Sequence, residues 1–380
     1  MTLSITNFNF DIINIIYNNL DYIDIINLSL VNKHFYNMFV SNKEYISFKK
    51  KVKNIDDIKY YVNTFPNIKL EVYIRGSIIS EQFMKLDIKY FINVIELISY
   101  ENKITDLSPL KNLVNLTYLN LSSNEITDLE PLKNLVNLTY LYLNSNKITD
   151  LDLLKNLINL TYLNLSSNKI TDLEPLKNLV NLATLYLSNN EINKIEPLNN
   201  LVNLTTLNLR NNNINKIEPL KNLINLTELD LSNNKIDSDI NDLEPLKNLV
   251  NLTTLSLAYS NINDLEPLKN LINLTTLSLH AIFISDIAPL KDLVNLTNLN
   301  LRDNGISDIE PLNNLVNLTT LSLANNYITK IEPLKNLVNL TTLDLSYNNI
   351  SDLKPLKNLV NITTFKFYSN NIYDLKLFIN

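Results

Sequence analysis

Residues 116–137 have the sequence LTYLNLSSNEITDLEPLKNLVN, and closely similar units repeat along most of the chain. The repeat length is 22 residues, except in one unit of 26 residues that begins at Leu226. Similarity at a fixed short period is typical of solenoid proteins, in which each unit packs on its neighbours in the chain. Aligned units begin at Val94, Leu116, Leu138, Leu160, Leu182, Leu204, Leu226, Leu252, Leu274, Leu296, Leu318, Leu340 and Ile362.

Each part of this unit predicts a local structure. Leu119 and Leu121 alternate with polar residues, which is typical of a half-buried strand. Pro131 suits the first position of a short helical turn, because its missing N–H costs nothing there. Eleven of the twelve prolines of the chain occupy this position. The units therefore predict an α/β solenoid with a parallel inner sheet and short convex helical turns.

An asparagine follows the strand in most units, and we call this series the asparagine ladder. An amide both donates and accepts hydrogen bonds, so a stack of amides can satisfy loop backbone between turns. The ladder is interrupted at Ser260 and at Ile282, beside Phe283, and four extra residues lie between Lys235 and Asn241. This clustering predicts a locally reshaped loop edge, with sequence drift as the alternative. The ladder consists of Asn124 and the asparagines at positions 146, 168, 190, 212, 234, 304, 326, 348 and 370.

The pattern LxxLxLxxNxIxDLxPLxxLxxL resembles the 22-residue class of leucine-rich repeats, found in phosphatase-regulatory proteins and bacterial internalins. The resemblance covers residues 94–380. It implies a curved solenoid whose concave sheet binds a protein partner. The fold alone does not name that partner.

Residues 8–48 have a different pattern, with apolar residues at helical spacing in two successive runs. This pattern predicts a small helical domain in front of the repeats. One hypothesis is a helical cap that covers the first repeat, which solenoids require. The two runs are Ile12, Ile13, Ile16 and Leu20, followed by Ile25, Leu28, Val31 and Phe35.

The same segment resembles an F-box, the short helical motif that docks the Skp-type adaptor of cullin–RING ubiquitin ligases. The F-box pattern LPxELxxxIxxxLxxxDLxxLxLVCKxW aligns with it without a gap. The chain departs from the pattern where Asn9 replaces the proline, Asn32 the cysteine and Phe35 the tryptophan. The motif usually meets the adaptor at those positions. The resemblance implies adaptor-binding roles for Phe8, Ile12, Ile16, Leu20, Ile25, Leu28, Val31 and Phe35.

Residues 49–93 connect the two parts. The lysines at 49, 50, 51 and 53 predict a solvated helix end, with a basic patch as the alternative. Leu70, Val72 and Ile74 alternate with polar residues, as in a degenerate first strand. The predicted domains are an F-box-like helical domain (1–48), a connecting segment with a degenerate first repeat (49–93) and a solenoid of about 12–13 repeats (94–380).

Composition argues against several classes of protein. The net charge of −6 disfavours a nucleic-acid platform, because phosphate binding needs a clustered basic surface. The absence of cysteine excludes disulfides, thiolate zinc sites and cysteine nucleophiles. The sequence has neither a signal-peptide pattern nor an apolar run of the roughly 18–20 residues that a membrane helix needs. We therefore expect an intracellular protein, cytoplasmic or nuclear (in the host cell if the source is viral), with no nucleic-acid or membrane partner.

The sequence also offers little for catalysis or for binding metals. Its two glycines exclude the usual phosphate-binding loops, and its two histidines, His34 and His280, exclude multi-histidine metal sites. His280 lies near Ser278 and Asp303 in the predicted sheet, but no strained nucleophile turn accompanies it, which favours a surface histidine. One acid per repeat fits turn roles better than calcium binding, and the recurring Asn-Leu-Thr matches a glycosylation acceptor only formally. We expect no catalytic residue, metal or cofactor.

Outward positions on the predicted strands form three rows along the inner sheet. Tyrosines gather in the first third of the solenoid, and large rigid side chains with a hydroxyl are typical of binding hot spots. The alternative is a stacked ladder that stabilises the sheet. Charged residues near the reshaped loop edge form a second candidate. The predicted partner-binding residues are Tyr118, Tyr140, Tyr142, Tyr162, Tyr186, Arg210, Glu228, Asp230, His280 and Arg302.

These features support three hypotheses. The first is a substrate-recognition subunit of a cullin–RING (SCF-type) ubiquitin ligase, with a Skp-type adaptor and an unknown target protein as partners. The second is a non-catalytic scaffold, or a binder resembling phosphatase regulators, whose N-terminal helices only cap the core. The third is a secreted adhesin resembling internalins, which the missing signal peptide disfavours. Binding of the adaptor separates the first two.

Overall fold

A computed structural model describes residues 49–64, 68–73, 85, 88–236 and 243–372. The predictions for the F-box-like segment, for Ile74 and for most of the four-residue insertion lie outside these residues. The chain divides into two compact units, Met1–Asn164 and Leu165–Asn380, and each is described by itself.

The first unit contains a sheet of six parallel strands that pair in chain order. One α-helix, α1 (Ile55–Thr64), connects the first two strands. The strands are β1 (Lys49–Val52), β2 (Lys69–Tyr73), β3 (Val94–Ile98), β4 (Tyr118–Asn120), β5 (Tyr140–Tyr142) and β6 (Tyr162–Asn164). Short 3-10 turns lie at Ile88–Tyr90, Ser108–Asn112, Glu130–Leu132 and Asp152–Leu154.

The lysine cluster at the start of this unit corrects one prediction. Lys49–Val52 is a strand and not a helix end. Val52 pairs with Val72 of β2, and both side chains are buried, so the strand contributes to the core. The helix begins only after Asn54, whose side chain accepts a hydrogen bond from the Asp57 N–H at 2.8 Å. Leu70 and Val72 are buried in β2, as the alternation predicted.

The second unit repeats the strand and turn without longer helices in its described residues. Its strands are β7 (Thr184–Tyr186), β8 (Thr206–Asn208), β9 (Glu228–Asp230), β10 (Thr254–Ser256), β11 (Thr276–Ser278), β12 (Asn298–Asn300), β13 (Thr320–Ser322), β14 (Thr342–Asp344) and β15 (Thr364–Lys366). They are parallel and pair in chain order. Its 3-10 turns are Glu174–Leu176, Glu196–Leu198, Glu218–Asn222, Glu244–Leu246, Glu266–Leu268, Ala288–Leu290, Glu310–Leu312, Glu332–Asn336 and Lys354–Asn358.

The core of each unit lies between the strands and the 3-10 turns. Leu119 and Leu121 are fully buried, as is Leu132 of the adjacent turn, and their equivalents recur in the other repeats. Pro131 stands in the first turn of its 3-10 helix, which confirms the prediction for the proline position. The Asp128 carboxylate accepts the Glu130 N–H at 2.8 Å, so the recurring acid serves the turn, as predicted.

Three series of side-chain hydrogen bonds join neighbouring repeats. In the asparagine ladder, Asn212 Nδ2 donates to the Leu187 carbonyl of the preceding repeat at 3.0 Å, which confirms the ladder prediction. Asn115 Nδ2 donates to the Ile92 carbonyl at 2.8 Å, and Thr139 Oγ1 donates to the Thr117 carbonyl at 2.9 Å. The last two series explain the repeated Asn-Leu-Thr. The nitrogen that a glycan would occupy is already engaged in the fold.

The loop edge of the second unit departs from this regularity where the ladder is interrupted. Ser260 and Ile282 are both buried, and the Ser260 hydroxyl has no hydrogen-bond partner among the described residues. In the next repeat Asn304 Oδ1 accepts two backbone N–H groups, from Ile282 and Ile284, each at 3.2 Å. The residue between them, Phe283, has a positive φ of 65°. The loop is therefore locally reshaped, as the sequence predicted.

Candidate partner-binding surface

Four of the predicted tyrosines meet on the outward face of the first unit. The strand register places Tyr118, Tyr140 and Tyr162 side by side in one row, and Tyr142 in the next row. Leu119 and its equivalents on the same strands are buried, so alternation turns the tyrosines outward. Tyr140 is 44% exposed, and the other three are half-buried.

The tyrosine rings contact one another across the strands. Ring centroids of Tyr142 and Tyr162 are 4.5 Å apart, and those of Tyr118 and Tyr142 are 5.4 Å apart. Tyr140 lies 5.9 Å from Tyr118 and 6.0 Å from Tyr162. These are ordinary distances for aromatic pairs. We call these four residues the tyrosine cluster; the packing makes it a preformed surface.

Tyr118 is a half-buried member of the cluster. Burial, together with the Tyr142 hydroxyl that hydrogen bonds to it, raises the pKa of Tyr118 to about 12. The Tyr118 hydroxyl therefore stays protonated at physiological pH. The hydroxyl is therefore an uncharged hydrogen-bonding group within the cluster.

The surface extends towards the start of the unit through residues that sequence reasoning missed. In the strand register Glu96 of β3 stands next to Tyr118, and Ile98 stands between Tyr73 of β2 and Asn120. The Lys51 ammonium lies 4.3 Å from the centroid of the Tyr73 ring. The alternation of Leu70 and Val72 already implied an outward Tyr73, but the first strands depart from the consensus repeat.

The remaining predicted residues belong to the second unit. Tyr186 ends β7, Glu228 begins β9 in the first outward row, and Asp230 stands in the second row. Backbone hydrogen bonds continue the register past the strands, for example from the Tyr259 N–H to the His280 carbonyl at 3.0 Å. We call the third-row residues Arg210, His280 and Arg302 the basic row. Its intervening positions are Ser232 and Ala258, both buried.

His280 has contacts that suit a surface histidine. Its Nδ1 lies 3.0 Å from Ser278 Oγ, and its ring meets the edge of Tyr259 at 4.7 Å. The Asp303 carboxylate instead accepts hydrogen bonds from Arg302 and Asn325. Burial first, and then the positive charges of the basic row, lower the pKa of His280, although Asp303 opposes them. This arrangement lacks the Asp–His contact of a catalytic triad.

Exposed aromatic residues along the loop edge of the second unit were not predicted as a group. Each exposes more than half of its side chain, and Phe283 is 79% exposed. Sequence reasoning singled out Phe283 only as a neighbour of the ladder interruption. The signal was a run of aromatic residues at loop positions that are polar in the first unit. The residues are Tyr259, Phe283, Tyr327, Tyr347 and Tyr368.

Comparison with protein families agrees with the geometry. The model for leucine-rich repeats in two copies matches residues 93–134, 136–178, 180–222, 202–248, 250–292 and 294–336. The chain belongs to the leucine-rich-repeat family. A further leucine-rich-repeat model matches residues 336–353. The resemblance inferred from the repeat pattern is confirmed.

Solved leucine-rich-repeat structures share the fold. An internalin (InlF) from Listeria monocytogenes has 34% sequence identity and a TM-score of 0.74, with 77% of this chain and 86% of that chain covered. A leucine-rich-repeat protein from Leptospira interrogans has 25% identity and a TM-score of 0.74, with 84% of this chain and 88% of that chain covered. A comparison with curated proteins found no match.

The leucine-rich-repeat chain also carries a second recognisable domain. The F-box domain model matches residues 5–47, which confirms the F-box recognition. The predicted adaptor-binding residues, from Phe8 to Phe35, lie outside the described part of the structure, so their roles stay predictions. Both families are typically binding or adaptor domains rather than catalysts. In the described residues, no helix is long and apolar enough to cross a membrane.

Proposed function

We propose that this protein is a substrate-recognition subunit of a cullin–RING ubiquitin ligase of the SCF type. Its F-box docks the Skp-type adaptor, and its repeats hold the target protein for ubiquitylation. The observation that carries the proposal is the F-box match in the same chain as the repeats, since an F-box with leucine-rich repeats fits a substrate-recognition protein in general. The chain needs no catalytic residue for this role.

The short distance between the two domains supports the proposal. The F-box match ends at Ser47, and β1 begins at Lys49. A single residue, Phe48, therefore lies between the F-box match and the first strand in the sequence. A target bound to the repeats is then held within a limited distance of the adaptor.

The tyrosine cluster is the proposed target-binding surface. Its rings are already packed against one another, so little side-chain entropy is lost when a partner covers them. Tyr140 is the most accessible ring of the four, and the hydroxyl of Tyr118 remains a neutral hydrogen-bonding group. Rigid aromatic area with polar ends is typical of hot spots in protein interfaces.

Adaptor binding by the full-length protein tests the proposal. We expect a Skp-type adaptor to co-purify with the wild-type chain and to be lost from the Ile16→Asp/Leu20→Asp variant, because both residues occupy apolar positions of the F-box pattern. Ile158→Asp is the matched control, since Ile158 is 52% exposed in the first unit. Circular dichroism checks that the repeats of each variant stay folded.

Restoring the F-box pattern gives a second arm of the experiment. Asn9→Pro and Asn32→Cys replace the two asparagines that depart from the pattern, and we expect the adaptor to bind these variants more tightly. If neither the wild-type chain nor the restored variants bind any Skp-type adaptor while the repeats are folded, the protein is a scaffold and the ligase proposal is wrong.

A further inference from the structure

The outward face of strands β4, β5 and β6 in the first unit carries no charged side chain. Its nine positions, on or just past the three strands, are Tyr118, Asn120, Ser122, Tyr140, Tyr142, Asn144, Tyr162, Asn164 and Ser166. Glu96 of β3 stands at the border of this face, and the equivalent rows of the second unit contain Arg210, Glu228 and Asp230. A charged group pressed against the uncharged face would lose its water without gaining a partner of opposite charge, which is unfavourable. A segment that covers the tyrosine cluster is therefore itself uncharged.

Backbone pairing within the sheet excludes one common way of binding a peptide. Strand β4 pairs with β3 and β5, and β5 pairs with β4 and β6, so neither has a free edge to which a further strand could be added. A peptide that lies on this face therefore finds no backbone acceptor for its own N–H groups. An N–H group that is buried against an aromatic ring without an acceptor is unfavourable. Proline has no N–H, so a proline-rich segment avoids this penalty.

The hydroxyl groups of the cluster suit the carbonyl groups of such a segment. A polyproline II helix has no internal hydrogen bonds, so its carbonyl oxygens are free to accept. Among the described residues Tyr140 has ring contacts, but its hydroxyl makes no hydrogen bond. The pKa of Tyr118, raised to about 12, keeps that hydroxyl protonated. The face thus offers uncharged donors, and each proline of the segment offers only an acceptor.

The spacing of the rings also suits the polyproline II conformation. Between ring centroids, Tyr140 lies 5.9 Å from Tyr118 and 6.0 Å from Tyr162. A polyproline II helix rises about 3.1 Å per residue, so residues two apart in its sequence are separated by about 6.2 Å. The packed rings and the polyproline II helix are both ordered before they meet, which keeps the loss of conformational entropy on binding small.

We propose that the tyrosine cluster binds an uncharged, proline-rich segment of the target protein in the polyproline II conformation. The carbonyl oxygens of the segment accept hydrogen bonds from the tyrosine hydroxyls, and its proline rings pack against the tyrosine rings. This inference rests on the proposed function in one respect, because the segment is taken to belong to the ligase target. The chemistry of the surface does not depend on the F-box.

Peptide binding to the full-length protein tests this inference. The row of three rings spans about 12 Å, which about four residues in the polyproline II conformation cover. The probe is a fluorescein-labelled peptide of about nine residues, mostly proline with a central leucine and no charged side chain, and binding is measured by fluorescence anisotropy. Matched peptides replace the prolines by alanine, or the residues beside the leucine by aspartate or by lysine. We expect the proline peptide to bind most tightly and each of the others to bind at least about tenfold more weakly.

Variants of the protein locate the binding site. Tyr140→Ala should weaken binding of the proline peptide by roughly tenfold or more, and Tyr140→Phe, which keeps the ring and removes the hydroxyl, should weaken it less. Tyr140 is 44% exposed, so both variants should keep the urea midpoint close to that of the wild type. Tyr327→Ala is the matched control, because Tyr327 is an exposed tyrosine of the second unit, outside the cluster. Its affinity should stay within about twofold of the wild-type value.

Several results would overturn the inference. These are failure of the proline peptide to bind at millimolar concentration, equally tight binding of the alanine peptide or of a charged peptide, and equal effects of Tyr140→Ala and Tyr327→Ala. Tighter binding of maltohexaose, an uncharged oligosaccharide, would reject a protein segment as the ligand. Co-purification of a Skp-type adaptor with the same preparations separates this inference from the proposed function. Adaptor binding without peptide binding rejects only the inference, and peptide binding without adaptor binding rejects only the ligase role.

Discussion

In the first unit a cluster of aromatic side chains lies on the strands, whereas in the second unit most exposed aromatic side chains lie on the loop edge. Tyr118, Tyr140 and Tyr162 fill one outward row of the first sheet, and the corresponding row of the second sheet holds mainly threonine. At the loop edge the aromatic residues belong to the second unit instead. Phe283 and Tyr327 occupy there the repeat position that Glu125 and Lys147 occupy in the first unit, where those two residues form an ion pair. The buried leucines are the same in both. A constant core therefore leaves the outward and loop positions free to build two surfaces with different chemistry.

The largest expected effect is a loss in the free energy of unfolding when the asparagine ladder of the first unit is broken. In the first unit Asn124 Nδ2 donates to the Ser99 carbonyl at 2.8 Å, and its Oδ1 accepts the Asn102 and Ile104 N–H groups at 3.0 Å. Asn124→Ala leaves these buried groups unpaired, so we expect a loss of about 3 kcal/mol in the free energy of unfolding by urea. Asn115→Ala is the control, because its amide is exposed and we expect a loss of about 1 kcal/mol.

The opposite change in the second unit sharpens this comparison. Ser260→Asn restores the amide where the ladder is interrupted and removes a buried hydroxyl that lacks a partner among the described residues. We expect a gain of about 1 kcal/mol in the free energy of unfolding. If Asn124→Ala costs no more than Asn115→Ala, the ladder does not hold the repeats together as we describe.

The tyrosine cluster gives a smaller effect that separates packing from binding. Tyr142 has rings of the cluster at 5.4 and 4.5 Å, so Tyr142→Ala should cost about 1–2 kcal/mol of unfolding free energy. Tyr140 is 44% exposed and its ring contacts are longer, so Tyr140→Ala should cost less than about 1 kcal/mol. Urea unfolding monitored by circular dichroism measures both. Equal losses for the two variants would favour the alternative in which the tyrosines only stabilise the sheet.

The regular parts of the fold could be predicted from the sequence, and the irregular parts could not, for physical reasons. Leu119 and Pro131 belong to patterns that recur in nearly every repeat. The strand and the turn predicted for one repeat are therefore predicted for the other repeats as well. Strand β1 was missed because its lysines hide the single buried Val52. The positive φ of Phe283 depends on Asn304, which lies in the next repeat and accepts both flanking N–H groups. Such a contact between repeats is not visible in a local pattern.

For the candidate surface, too, the sequence predicted the regular features but not those that depend on neighbouring repeats. Alternation correctly placed Tyr118 and its neighbours on the outward face, and it separated Arg210 from Glu228 into different rows. Alternation gives the face of a side chain but not its exposure. The burial of Ala258 and the accessibility of Tyr327 depend on the sizes of neighbouring side chains in other repeats.

The titration of His280 is the smallest expected effect, and it tests whether the basic row acts as one charged group. Burial and the two arginines lower its pKa from the ordinary 6.5, so below pH 6.5 the unfolded chain binds a proton more readily than the folded chain. The free energy of unfolding should therefore fall as the pH falls through this window. Arg210→Ala removes one positive charge and should raise the pKa of His280, whereas Asp303→Asn should lower it further.

Proton NMR of the histidine ring measures these shifts directly, because the chain has only two histidines and a His34→Gln variant assigns the remaining signal. Lys216→Ala is the control, since it removes a positive charge from the same repeat as Arg210 but not from the basic row. An equal shift in this control would mean that only the net charge of the protein matters. A shift confined to Arg210→Ala would show that the charge of Arg210 acts on His280 along the third row of the second unit.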